Sequence, residues 1–396
     1  MDDDRTLIAS VAARIAVPKA AAADSFVLHA PLELLARAAL LPHVSIAART
    51  AARERLRWLA DQYDAAGDPV DEPAPMDVAS VEDGAIRLTV ALDAGELDDV
   101  DRLAQWLGWH TTASELRYLL AEPVAASLAA AAHASILLYL LPRVAGVPGS
   151  LLRGPARELA RYPDWRLRWF EDPDEIVTGA GTLAEALLDV PMLGLPGSNF
   201  IFPIMNQAEE SGIAAKLLGG LTGLDVDVRA ATRDLSRIAA WSMLQEPPEH
   251  APYGWSHCLT MPQAVMALAG HGAEPRTAVA VAATHVVGFR AALGEHPLAA
   301  DYEPDAPTTS DVGDAITSGR DDAASTVWHA PASALDDIVT ELATRAALHH
   351  DAHLVKYTLA CLDAATADPT HRRLYLSAAA SLSSWWAQQP TDGFLD

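Results

Sequence analysis

The period of its apolar residues restricts this chain more than any other feature. They recur at spacings of three and four, as in Leu32-Leu35-Ala36-Ala39-Leu40, alanine and leucine dominate, and alternating β-branched runs are scarce. Such a period lays one apolar stripe along a helix, whereas a half-buried strand needs alternation at every second residue. Prolines and glycines interrupt the helical pattern at Pro42, Gly67 to Pro75, Pro142, Gly146 to Gly149, Pro163, Pro191 to Gly197, Pro247 to Pro252 and Pro297 to Pro307. These breaks predict about a dozen helices. The expected fold is therefore all-α with little or no sheet, an irregular helical bundle forming one large domain over residues 1–396 around a buried central site. No fixed repeat length emerges, which argues against a regular solenoid. Two stretches depart from the pattern. Residues 85–92 (Ala-Ile-Arg-Leu-Thr-Val-Ala-Leu) read either as a short strand or as the start of a helix, and residues 301–326, rich in Asp, Thr, Ser, Pro and Gly, read as a long flexible surface loop or lid.

Composition narrows the function. With 396 residues, 51% of them hydrophobic, the chain is long enough to bury one large core or two intimately packed halves, and length alone does not choose between them. Its 53 acidic residues against 28 basic ones give a formal charge of −25, which repels phosphate backbones and anionic lipid, so neither nucleic acid nor an acidic membrane is an expected partner. Cys258 and Cys361 are too few for a disulfide framework or a four-cysteine zinc site and fit a reducing compartment. Met1-Asp2-Asp3-Asp4 has none of the charge pattern of a signal peptide. The longest apolar stretch, Ala125 to Leu141, contains His133 and Ser135 and falls short of the roughly 20 apolar residues that span a bilayer. A cytoplasmic location is expected.

Five predicted helices carry a histidine near their N-terminal end, each followed by an apolar run: His29, His133, His257, His285 and His353. One histidine on an apolar helix face is ordinarily a core residue whose ring is satisfied by a nearby carbonyl. Several are harder to accommodate, because burying an imidazole without a partner costs on the order of 1–3 kcal/mol. A shared metal ion would satisfy them together, since neutral imidazole suits iron, zinc, copper or nickel and bundle sites take their ligands from different helices. Lys356, three residues after His353, stands on the same helix face within an otherwise apolar stretch. Burial disfavours its ammonium form, and a neutral amine reacts with carbon dioxide to give a carbamate, an anionic oxygen ligand. The alternative is a lysine that extends to water or pairs with a carboxylate such as Asp351. Trp255, Tyr139, Phe289 and Trp328 are candidate pocket aromatics. No phosphate loop, nucleophile elbow, paired-carboxylate motif or dinucleotide fingerprint accompanies these residues.

Two segments carry a family resemblance. Tyr253-Gly-Trp-Ser-His-Cys-Leu-Thr-Met-Pro-Gln-Ala-Val265 and Asp351-Ala-His-Leu-Val-Lys-Tyr-Thr-Leu-Ala-Cys361 resemble the His-x-(Leu/Val)-Thr-x-(Pro/Ala)-x-Ala and Asp-(Ala/Glu)-His-x-(Ile/Val)-Lys stretches of the questin oxidase-like proteins. His29-Ala-Pro-Leu-Glu-Leu-Leu-Ala and Ala132-His133 are similar to that family's first two histidine helices. The resemblance implies an all-helical oxidoreductase that opens a ring of an aromatic polyketide, typically an anthraquinone, with O2. Such enzymes work either as non-heme iron oxygenases or as NADPH-dependent Baeyer–Villiger-type oxygenases. Carried over position by position, it implies that His29, His133, His257 and His285 hold Fe(2+) together with carboxylated Lys356. His353, left outside that set, reads as a catalytic residue beside them that orients Lys356 or relays protons. A small aromatic substrate and O2 are then the expected partners. No nicotinamide-binding motif is visible for NADPH. The same ligands would also serve a zinc-dependent hydrolase or lyase, and a third reading is a non-catalytic helical protein that binds a small molecule, with its histidines satisfied in the core.

Overall fold

The computed structural model describes residues 2–171, 182–198, 200–220 and 227–389, so parts of the span expected to form one domain lie outside the described residues. Among the described residues there are nineteen α-helices and no β-strand; extended chain pairs only in the isolated bridges Lys19–Pro69 and Ser127–Arg166. The all-α expectation holds. The helices outnumber the predicted dozen because several, such as Leu183–Leu188, Ile213–Leu218 and Val312–Ser318, last less than two turns, too short for an apolar period to register.

Both ambiguous stretches resolve toward helix through their caps. Residues 85–92 lie inside the helix Val81–Ala94: the Ser80 hydroxyl accepts the Asp83 N–H, Glu82 and Asp83 place negative charge at its start, and Gly95 ends it in the left-handed conformation (φ 70°). The expectation of one long loop over 301–326 is corrected. Only the part up to Asp311 is irregular; Asp311 caps a helix Val312–Ser318 by accepting the Asp314 N–H (2.9 Å), and after Gly319 a second helix runs from Arg320 to His329 with Ala323, Ala324 and Val327 buried. The polar residues that read as coil act as caps and tethers instead. The Thr308 hydroxyl donates to Asp322 and the Thr326 hydroxyl to the Thr309 carbonyl, tying the irregular part to the second helix.

Four helices make the frame of the site: Ser25–Leu40, His133–Leu140, Ser256–Ala269 and Ala352–Ala367. The first packs against the second and the fourth, and the third also packs against the second and the fourth, so the four close a ring. The fully buried Trp255, Phe289 and Tyr357 stand close to it in sequence or space. By length and mean hydropathy (1.2) the segment Ser25–His43 could cross a membrane, yet 67% of that window is buried inside the protein. It also carries the buried Glu33–Arg37 ion pair, whose guanidinium donates as well to the carbonyls of Ala347 and His349. These features mark it as a core helix of the bundle.

Candidate metal centre

Each framing helix delivers a histidine from its first turns, and each starts in its own way. The Asp24 carboxylate caps the first helix by accepting the Val27 N–H (2.8 Å), which sets His29 at the fifth position. His257 follows a single π-helical turn, Ala251–Trp255, fixed by a bond from the Ser256 hydroxyl to the Pro252 carbonyl (2.5 Å). Asp351 caps the last helix by accepting the His353 N–H (2.7 Å). His133 is preceded by three alanines in the left-handed region, Ala130, Ala131 and Ala132, with φ of 50°, 49° and 56°. Alanine there costs roughly 1–2 kcal/mol per residue, so the packing around this turn must hold it against its own backbone preference.

The rings converge. Centroids lie 4.6 Å apart for His29 and His133, 5.3 Å for His133 and His257, 4.9 Å for His257 and His353, and 4.5 Å for His353 and His29, a closed circuit of four buried imidazoles. One nitrogen from each of His29, His133 and His257 lies within 4.8 Å of the other two, a grouping that could bind a metal ion. Their hydrogen bonds show which nitrogen faces inward. Nδ1 of His29 meets the Ser25 carbonyl (2.5 Å), Nδ1 of His133 the Ala130 carbonyl (3.1 Å) and Nδ1 of His257 the Tyr253 carbonyl, while Nδ1 of His353 meets the Asp351 carboxylate (3.1 Å). A carbonyl only accepts, so Nδ1 of the first three carries the proton, and the carboxylate selects the same tautomer at His353. Every Nε2 is left with a lone pair. At His29 and His257 that atom is buried without any hydrogen-bond partner, and at His133 it accepts from the Lys356 amine (3.3 Å).

Electrostatics keep this cluster uncharged. Burial holds the pKa of each of the four histidines well below the ordinary value, and the nearby Lys356 cation pushes in the same direction. Burial likewise lowers Lys356, to about 7, against the opposing pull of Asp351 and Glu33. All four helices also begin on this side, so their N-terminal partial positive charges disfavour protonation of the rings. Lone pairs without protons to share are what a cation needs, and orphaned buried acceptors are what a protein avoids unless something fills the gap. The donor set thus fits a metal ion.

His285 does not join this group, which corrects its expected place as a fourth ligand. Its ring touches no other imidazole among the described residues, its Nδ1 is buried without a partner, and burial alone lowers its pKa, to about 4. The reason is position along the helix axis, not helical phase. The helix Pro275–Leu293 presents Phe289 to the cluster, stacked on His257 at 6.4 Å, and His285 sits one turn earlier on that face. His353, expected beside the ligands as an orienting or relaying residue, takes the fourth corner instead. Of the other candidate aromatics, Trp255 is a core residue bonded to the Pro247 carbonyl and Tyr139 pairs with Asp363, so neither ring contacts the four. Asp351 as partner of His353 had a legible signal, an Asp two residues before a helix-starting His; the alanine turn and the ring of Tyr253, 4.8 Å from that of His353, had none.

Fold and site together define an all-α protein with a buried polyhistidine centre. Comparison of the chain with protein-family models, with curated proteins and with solved structures finds no match.

Proposed function

We propose that His29, His133, His257, His353 and Lys356 hold one divalent metal ion, Fe(2+), and that the protein is a metal-dependent oxidoreductase: an oxygenase that opens a ring of an electron-rich aromatic substrate with O2. The observation that carries the metal reading is the inward set of Nε2 lone pairs, orphaned at His29 and His257. The likeness of the His257 and Lys356 segments to the questin oxidase-like proteins supports the choice of iron and of substrate class. We place the protein in the cytoplasm, in keeping with its two free, buried cysteines.

The roles of the residues follow from their positions. The four imidazoles bind through Nε2, and the carbonyls of Ser25, Ala130 and Tyr253 with the Asp351 carboxylate fix their tautomers and ring planes. Asp351 makes His353 the most electron-rich of the four. Four neutral rings leave the charge of a dication uncompensated in a buried site at helix N-termini. Lys356 resolves this: its amine attacks carbon dioxide, a C–N bond forms, and loss of one proton leaves a carbamate whose oxygen is anionic. When bound, iron supplies the electrons that let triplet oxygen react with a phenolic ring. Phe289 and the apolar helix faces keep bulk water from the centre. NADPH has no part in this proposal.

Metal analysis of protein purified without added metal tests the reading. We expect about one iron per chain, lost in His257→Ala. Stoichiometric zinc would support the hydrolase or lyase alternative, and absence of any bound metal, even after anaerobic incubation with ferrous iron, would leave a non-catalytic helical protein.

A further inference from the structure

We propose that Tyr253 is the door of the histidine centre, and that its ring sets the size of solute that reaches the centre and the rate of entry. The consequence for metal and substrate rests on the function proposed above, but the door itself does not. Phe289 and Tyr253 bring non-histidine rings against the cluster. Phe289, 1% exposed, lies against His257 and closes the inner side. Tyr253, 40% exposed, lies nearly perpendicular to His353 (4.8 Å between centroids, planes at 86°) and to the nearly buried Trp386 at 6.4 Å. From this side, the step from solvent to a ligand ring is one side chain thick.

What moves and what stays follows from the bonding. The backbone under Tyr253 is pinned: its carbonyl receives the Nδ1–H of His257, Trp255 donates to the Pro247 carbonyl (3.3 Å), and Gly254 packs so closely under Leu293 that a Cβ there would stand 2.4 Å from its Cδ1. The side chain has no such hydrogen-bonded tether: its hydroxyl makes no hydrogen bond among the described residues, and its ring meets those of His353 and Trp386 nearly at right angles. A swing about Cα–Cβ therefore opens the site without disturbing the carbonyl that orients His257. His353, directly under the ring, is uncovered first. Small molecules of the size of water or O2 pass a partly open door, whereas a planar ring or a chelator needs the full swing.

The test uses the metal-free full-length protein and diethyl pyrocarbonate, which acylates neutral imidazole, with the modified residue located by peptide mass spectrometry. Tyr253→Ala should carbethoxylate His353 at least about tenfold faster than wild type, Tyr253→Phe should match wild type within about twofold, and Tyr253→Trp should be slower. Phe289→Leu, which loosens the inner wall instead, should leave the rate at His353 unchanged. A wild-type rate in Tyr253→Ala overturns the proposal, as does equal acceleration by Phe289→Leu. Acceleration by Tyr253→Phe overturns it too, because a hydroxyl latch rather than the ring would then close the site. If Tyr253→Ala does not fold, the Phe and Trp variants still decide between ring and latch. In metal-loaded protein, Tyr253→Ala should speed metal removal by a chelator in the same proportion with unchanged metal content. Should no metal load at all, the proposed function falls while the acylation rates still judge the door.

Discussion

His285 offers the cleanest perturbation, because it separates a merely buried histidine from a ligand. Burial brings its pKa from 6.5 to about 4, with no charged neighbour contributing. That difference, at about 1.4 kcal/mol per pH unit, is worth about 3 kcal/mol between the two protonation states. The folded state binds this proton more weakly than the unfolded chain does, so stability is unaffected above pH 6.5, falls as pH drops from 6.5 toward 4, and levels off below. His285→Leu removes the titration and puts an apolar side chain of similar bulk into an apolar helix face; its packing offset is independent of pH. Urea unfolding of both metal-free proteins from about pH 7.5 to about pH 3.5 gives the stability difference, in which the other histidines cancel. That difference should shift toward the variant by about 3 kcal/mol over the range, half of it by about pH 5.2, and the variant should retain its metal. A flat difference would refute the burial argument, and loss of metal would return His285 to the centre.

Other consequences are as direct. His257→Ala or His353→Ala should each lower metal occupancy at least about tenfold by mass-spectrometric metal analysis, whereas loss of only one of the two would sink the four-cornered arrangement. Asp351→Asn keeps a capping oxygen but not the charge on His353, so metal affinity should fall about 10–100-fold with little change in melting, while Asp351→Ala should lose in addition about 1 kcal/mol of stability from the missing cap. Ala131→Gly relieves a left-handed residue at roughly 1–2 kcal/mol against a chain-entropy cost of about 0.4–1 kcal/mol, so it should stabilise the protein slightly. The same change at exposed Ala51, inside the helix Arg49–Ala65, should destabilise by about 1 kcal/mol, and identical effects at the two sites would deny the strained turn.

By itself the sequence determined the helices and the residue types of the site. Apolar spacing of three and four settles local structure because it needs no knowledge of neighbours, and buried histidines and a lysine on such faces stand out because each is costly without a partner. Polar residues misled over 301–326 because Asp and Thr serve coil and cap alike, and only the packing of Ala323, Ala324 and Val327 decides between them. Which histidines meet was a tertiary matter. His285 and His353 look alike along the chain, yet Phe289 occupies the turn of its helix that faces the centre while His353 starts the helix that closes the ring. Ala130 to Ala132 show the limit most plainly: alanine favours the right-handed helix, and only contacts from distant parts of the chain can hold three in succession in the opposite hand to aim His133 at its partners.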